Sequence, residues 1–358
     1  MAESPPLPSR RQVLDRLAAF HSTRTGPALL LLAFDLALYA ALWTALLVAP
    51  AWWMKLPLAA ASALSIARLF LIGHDACHGS YFTSRWANAA AGRLVFLASY
   101  TPFSTWELGH NTLHHGFTNL RGKDYGYTPF SKAEFDALPA YRRLLERVYR
   151  HPFGLGLYYF ADIWWRKLWF PRARHVEPAR AAYTVDSLLT ALFLAAQAAL
   201  VLVVAAHANR NAVALALWTI AAPFAVWNAL MGFVTFQQHT HPTVVWYARR
   251  KDWDPVRAQL ENTPHVVFPW PLGYLLDHIM EHTAHHLDVT IPFFDLPGAQ
   301  GEVERLFPEQ VRAERWSWRY YTDCCRRCKL YDYEGRQWLG FDGQPVPPRL
   351  PFTSPPLK

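Results

Sequence analysis

The sequence predicts an all-α membrane protein with four transmembrane helices in two hairpins. Three observations predict it. Of 358 residues, 52% are hydrophobic and only 17% charged, a balance that excludes both intrinsic disorder and an ordinary soluble domain. Four apolar runs are each long enough to cross a hydrocarbon core, and they fall into two pairs joined by short links. The polar parts between and after the pairs hold most of the 16 histidines, and 35 Lys and Arg against 27 Asp and Glu leave a charge of +8.

The first run covers residues 28–49, 22 residues that reach ~33 Å as a helix. Pro50 and the Trp52-Trp53 pair mark an interfacial turn, and residues 56–73 return as the second span. A third span fits residues 187–206 and a fourth fits 212–236, with the link 207–211 too short for anything but an antiparallel pair. Positive residues then set the orientation. Arg10, Arg11, Arg16 and Arg24 crowd the amino-terminal segment, Arg142, Arg143, Arg147 and Arg150 the central loop, while the hairpin tips hold only Lys55 and Arg210. Both termini are therefore expected in the cytoplasm, with an amino-terminal segment 1–27, hairpins 28–73 and 187–236, a loop 74–186 and a tail 237–358. No cleavable signal is expected, since the first residues lack an apolar core.

Several segments carry narrower expectations. Residues 151–170 mix aromatic and basic residues and read as a helix in the membrane plane. Residues 88–103 are apolar but short and contain Pro102, so they read as a buried or re-entrant segment. Arg68 lies six residues before His74 and is expected to snorkel to the interface, whereas Asp35 can pair with another helix or reach an interface. Cys77, Cys324, Cys325 and Cys328 read as reduced thiols, because three bunched cysteines with no fourth nearby make a poor metal site. The Pro-rich residues 344–358 read as a mobile tail.

The chemistry is carried by histidine. Eight fall in three clusters: His74 and His78 in HDACH, His110, His114 and His115 in HNTLHH, and His282, His285 and His286 in HTAHH. A spacing of four puts two imidazoles on one helical face, so each cluster can grip a metal ion. Eight nitrogens exceed what one ion takes, which points to two ions and a dinuclear site. Imidazole suits iron, copper, zinc and nickel alike, so spacing leaves the metal open.

The three boxes resemble those of the integral-membrane fatty acid desaturase superfamily, and the resemblance extends through WELGHNTLHHGFTN, FQQHTHP and AHHLDVTIPFFDL. QHTHP resembles the acyl-lipid omega-6 (delta-12) type. The resemblance implies a cytosolic helical cap holding two iron ions, Fe2+, with molecular oxygen as co-substrate and insertion of a cis double bond into a long acyl chain. It assigns as iron ligands His74, His78, His110, His114, His115, His282, His285 and His286. A ninth histidine is expected just after the fourth span, where His239 and His241 compete. His241 is preferred, because Gln237 one turn earlier could hold a metal-bound water.

Asp75, Glu107, Asp277 and Glu281 are expected to hold the distal ring nitrogens of the ligands, and His278 to support them. The first box ends in a single His followed by Gly79, a departure from plant omega-6 enzymes that bears on regiochemistry. Two external electrons per turnover require a separate carrier, a ferredoxin or cytochrome b5 type, and no nucleic acid partner is expected. The implied setting is a bacterial inner membrane. Related hydroxylases, acetylenases and carotenoid oxygenases share such boxes. A His-rich metal transporter is the non-enzyme alternative; it would place histidines or acids inside the spans, lining a path.

Overall fold

The computed structural model describes residues 8–171 and 180–347. The expected tail beyond residue 347 lies outside the described residues. Among the described residues helix dominates, with four helices long and apolar enough to cross a membrane and two small two-stranded sheets. In chain order the elements used below are α1 Arg10–Leu17, α2 Thr25–Val48, α3 Trp52–His78, α4 Arg85–Phe96, α5 Phe103–Glu107, α6 Ala181–His207 and the helical stretch α7 Ala212–His239. They continue as α8 Pro255–Glu261, β1 His265–Val267, α9 His282–Leu287, α10 Leu296–Leu306, β2 Ala313–Arg315, α11 Trp318–Arg327, β3 Leu330–Asp332 and β4 Gln337–Leu339. The chain divides into two units.

One unit, Thr23–Gly109 with Gly156–Gly232, contains the span helices up to Gly232. Helices α2 and α3 form the first hairpin, with Trp52 and Trp53 exposed after its tip. The last carbonyls of α2 have no partner within the helix. Arg210 supplies one, donating from Nη1 to Leu47 O at 2.8 Å and from Nη2 to Val48 O at 3.0 Å. The two charges inside the first hairpin meet: Arg68 pairs with the fully buried Asp35 through Nε–Oδ1 at 2.7 Å and Nη2–Oδ2 at 3.0 Å, which joins α2 to α3. Deep in an apolar pair of helices, two charges cost less together than either alone.

Helix α3 runs past the expected end of its span to His78, so the first box is helical. Its end is held twice. At Gly73 a Cβ would stand 2.2 Å from the Phe96 ring, so only glycine lets α4 approach this closely, and Phe70 stacks on Phe96 at 4.6 Å. Gly79 then stops the helix at φ +77, a left-handed conformation that glycine takes without strain. Residues 88–103 are not one segment: α4 buries Asn88, Ala91, Gly92, Val95 and Phe96, a turn follows, and α5 begins after Pro102. The 151–170 region is helical from Leu155 to Trp169, and Trp164 and Trp169 each donate to Tyr100 O at 2.9 Å.

The other unit takes its described residues from Met1–Ser22, His110–Leu155 and Phe233–Lys358. Strands β1 and β2 pair in parallel, β3 and β4 antiparallel. Cys328 packs with Val244, Trp246, Tyr331, Tyr333 and Trp338, and Cys324 and Cys325 are buried on α11. Burial pushes all three thiols up in pKa, which keeps them protonated packing groups.

Candidate metal centre

Most of the second box lies on a π-helical turn, Leu108–His114, with His115 directly after it, and this decides how its three histidines divide. A π-helix closes i→i+5, so residues five apart share a face. His110 and His115 accordingly meet, with Nε2 atoms 3.0 Å apart, while His114 points elsewhere, its Nε2 2.9 Å from Nε2 of His239. The expected pairing of residues four apart is replaced here by a pairing of five. On α9 the ordinary period holds. His282 and His286 share a face with ring centroids 4.4 Å apart, and His285, turned away, brings Nε2 to 3.2 Å from Nε2 of His115.

Two groups result within this unit. His110, His115 and His285 form one; His114, His239, His282 and His286 form the other, with the ligand nitrogens of each within 4.8 Å of one another. In the membrane unit, His74 and His78 of the first box lie at the end of α3 with ring centroids 4.8 Å apart. His74 Nδ1 is 3.2 Å from Asp75 Oδ1, so Asp75 takes its expected place.

At the expected ninth position the structure brings His239, not His241, to the grouped histidines. His239, the last residue of α7, stands in the second group, 2.8 Å from His282 between Nε2 atoms. His241, preferred from the sequence, does not. Its Nδ1 accepts from Thr243 N at 3.1 Å, its ring stacks on Tyr320 at 6.2 Å, and its Nε2 faces Glu314 at 4.0 Å. Burial, and then the positive charge of Arg312, hold His241 down at about 3, a neutral core imidazole. The physical reason is helical phase. His239 is still on α7, whereas His241 follows the helix end, where the chain has changed direction. Gln237 is two residues before His239, about 200° around the helix, and donates to Phe233 O at 3.2 Å.

The tautomers show that the second group fits a metal ion. Asp124 Oδ1 lies 2.8 Å from His114 Nδ1, so that nitrogen carries the proton and Nε2 presents a lone pair. Thr118 Oγ1 donates to His114 O at 2.9 Å and is left to accept from His286 Nδ1 at 3.3 Å, so His286 Nε2 is also a lone pair, buried without a hydrogen-bond partner. Burial and the neighbouring His282, His239, His114 and His285 push His286 well down in pKa, which keeps it neutral. One proton on His239 Nε2 can serve only one of its two neighbours. A cation satisfies all four nitrogens at once. With metal–nitrogen bonds of about 2.1 Å, adjacent ligands lie roughly 3.0–3.4 Å apart, close to the separations seen.

Asp124 is the site residue that sequence reasoning missed. Ten residues after His114, it has no periodic relation to it; the turn that returns it is held by Asn119 N at 2.6 Å from Oδ2 and Gly126 N at 2.8 Å from Oδ1. The other expected acids go elsewhere. Glu281 accepts from His278 Nδ1 at 3.0 Å, and Asp277 is buried in a left-handed turn with φ +43. Glu107 belongs to the membrane unit. Burial pushes its carboxyl up, against the pull of Arg93 and Arg180.

Residues 50–318 match the family model for fatty acid desaturase, a span that includes all three boxes. The chain belongs to the fatty acid desaturase family. It is thus an oxidoreductase of a membrane-embedded kind, in keeping with its four helices long and apolar enough to cross a membrane. Among similar proteins, a Picosynechococcus sn-1 oleoyl-lipid 12-desaturase is 28% identical over 301 residues, covering 81% of this chain and 80% of the relative. A Synechocystis protein of the same description is 29% identical over 74% of this chain and 72% of its own length. The chloroplastic omega-6 fatty acid desaturase of Spinacia oleracea is 26% identical, over 81% and 62%.

Proposed function

We propose that this desaturase introduces a second cis double bond, of the omega-6 (delta-12) type, into an oleoyl chain esterified to a membrane lipid. The observation that carries the reading is the convergence of the box histidines into two groups, in each of which the ligand nitrogens lie within 4.8 Å of one another. The descriptions of the cyanobacterial and chloroplast relatives supply the substrate class. The proposed ligands are His74, His78, His110, His115 and His285 for one iron, and His114, His239, His282 and His286 for the other. His74 and His78 join the first set because their spacing of four on α3 gives them one face and the second set already has four members.

Held by these histidines, two iron ions would supply the reduction of oxygen and the removal of two hydrogens from adjacent methylenes. The balance is –CH2–CH2– + O2 + 2 e⁻ + 2 H⁺ → –CH=CH– + 2 H2O. The chain's own residues do the positioning: Asp124 fixes the tautomer of His114, Thr118 that of His286, and burial keeps His286 neutral. The electrons come from a separate ferredoxin or cytochrome b5 type carrier docking on the cytoplasmic side. Both termini lie on that side, and the membrane is a bacterial inner membrane; the scarcity of Lys and Arg at the two hairpin tips supports this orientation.

The test is expression in a bacterium that makes oleate but no linoleate, with ferredoxin and its reductase, followed by gas chromatography and mass spectrometry of lipid-bound chains. Linoleate in the phospholipids is the expected product. Conversion of stearoyl-CoA alone would overturn the lipid-linked omega-6 assignment, and a hydroxylated chain would move the enzyme to the related hydroxylases.

A further inference from the structure

The box-3 helix α9 is only six residues long and has no side-chain cap: Glu281 stands at its N-cap position without a hydrogen bond to the first turn. The first-turn N–H groups of any helix lack partners within it, and leaving one buried and unpaired is costly. Here the partner comes from another helix. Gln300 on α10, 1% exposed, accepts from Ala284 N through Oε1 at 2.9 Å. Ala284 lies between His282 and His285, so this bond is made in the middle of the box.

The direction of the Gln300 amide is set in turn. Nε2 donates to Glu304 Oε1 at 3.0 Å, four residues on and on the same face of α10. That carboxylate also accepts from His265 Nδ1 at 2.5 Å, on β1. Burial alone would raise the Glu304 carboxyl, but the hydrogen bonds from His265 and Gln300 outweigh it and hold the group below its ordinary value. An ionised carboxylate at Nε2 leaves only Oε1 to face Ala284. The relay β1–α10–α9 is made within one unit of the fold.

We propose that Gln300 is a positioning residue for the metal centre: its buried amide caps the box-3 helix from outside and fixes the directions of His282, His285 and His286. The inference rests on the reading that the histidine groups hold metal. It goes beyond the boxes, since α10 contributes no histidine to either group.

The experiment titrates detergent-purified, metal-free protein with Co2+ and follows the ligand-field absorption. Gln300→Leu removes the cap and is expected to weaken Co2+ binding about 10- to 100-fold, as loss of a group that orients metal ligands does. The melting temperature of the metal-free form should fall by no more than roughly 4 °C. Gln300→Glu sets two carboxylates against each other and should also bind weakly. The swap Gln300→Glu with Glu304→Gln restores one donor and one acceptor, and should return binding to within about threefold of wild type, a rescue that a loss of general packing would not show. Wild-type Co2+ affinity in Gln300→Leu, or a swap no better than Gln300→Glu alone, overturns the proposal. Failure of the wild-type protein itself to bind Co2+ would instead overturn the metal reading, and this inference with it.

Discussion

Replacing Asp124 by asparagine tests whether an acid remote from the boxes sets the state of a ligand. The wild-type carboxylate accepts three hydrogen bonds, from His114 Nδ1 at 2.8 Å, Gly126 N at 2.8 Å and Asn119 N at 2.6 Å. An amide of the same shape has one acceptor oxygen and one donor. Kept towards His114 and Gly126, its oxygen leaves the NH2 facing the Asn119 N–H, donor against donor. Flipped, it abandons two bonds and opposes His114. The better arrangement loses one charge-assisted bond, worth about 1.5–3 kcal/mol, and the negative charge beside the imidazole. At about 1.4 kcal/mol per decade this is roughly 10- to 100-fold, the range typical of acids that orient metal-bound histidines. The expected result for Asp124→Asn is a 10- to 100-fold loss of desaturated product in membranes supplied with saturating reductant, with protein abundance in the membrane unchanged. Turnover within twofold of wild type would refute the tautomer argument built on His114.

Three further outcomes are expected. His239→Ala should abolish product, whereas His241→Ala should keep at least a third of it, measured by gas chromatography of cell lipids; the reverse order would restore His241 to the ligand set. Asp35→Ala leaves Arg68 buried without its counter-charge and should destabilise the detergent-solubilised protein by about 3–5 kcal/mol, while the double change Asp35→Leu with Arg68→Met recovers most of it in thermal unfolding. Glu304 has a pKa held below its ordinary value, so the stability it contributes is present above about pH 4.3 and lost as pH falls through the depressed value. Melting temperatures of wild type and Glu304→Gln, followed from neutral pH to about pH 3, should therefore converge at the acid end; parallel curves would remove this contribution.

The spans were legible because a bilayer imposes one requirement, length without charge, and residues 187–206 or 212–236 satisfy it whatever they pack against. Box 3 was legible for a similar reason: its period of four is the period of the helix it forms. What could not be read depends on a neighbour or on a local departure from regular geometry. Nothing in HNTLHH announces a π turn, so the pairing of His110 with His115 rather than with His114 appears only in the structure. His239 and His241 differ by two residues across a helix end, and that end is fixed by tertiary packing. Asp35 and Arg68 are separated by 33 residues and meet only because α2 and α3 are antiparallel at this register.

Adjacent histidines on a helix point about 100° apart, so the two members of an HH pair are poorly placed to bind the same ion. Boxes 2 and 3 both use this. His115 and His114 go to different groups, and so do His285 and His286. Each HH pair therefore straddles the two groups. The separation between them is set by the width of a single helix rather than by the packing of distant elements. The π turn and α9 each contribute to both groups, and neither group can be assembled without both elements. It follows that whatever holds α9, including bonds from residues that touch no ligand, acts on both groups together. A dinuclear centre built this way is one cooperative structure, whereas two independent sites would have needed two separate supports.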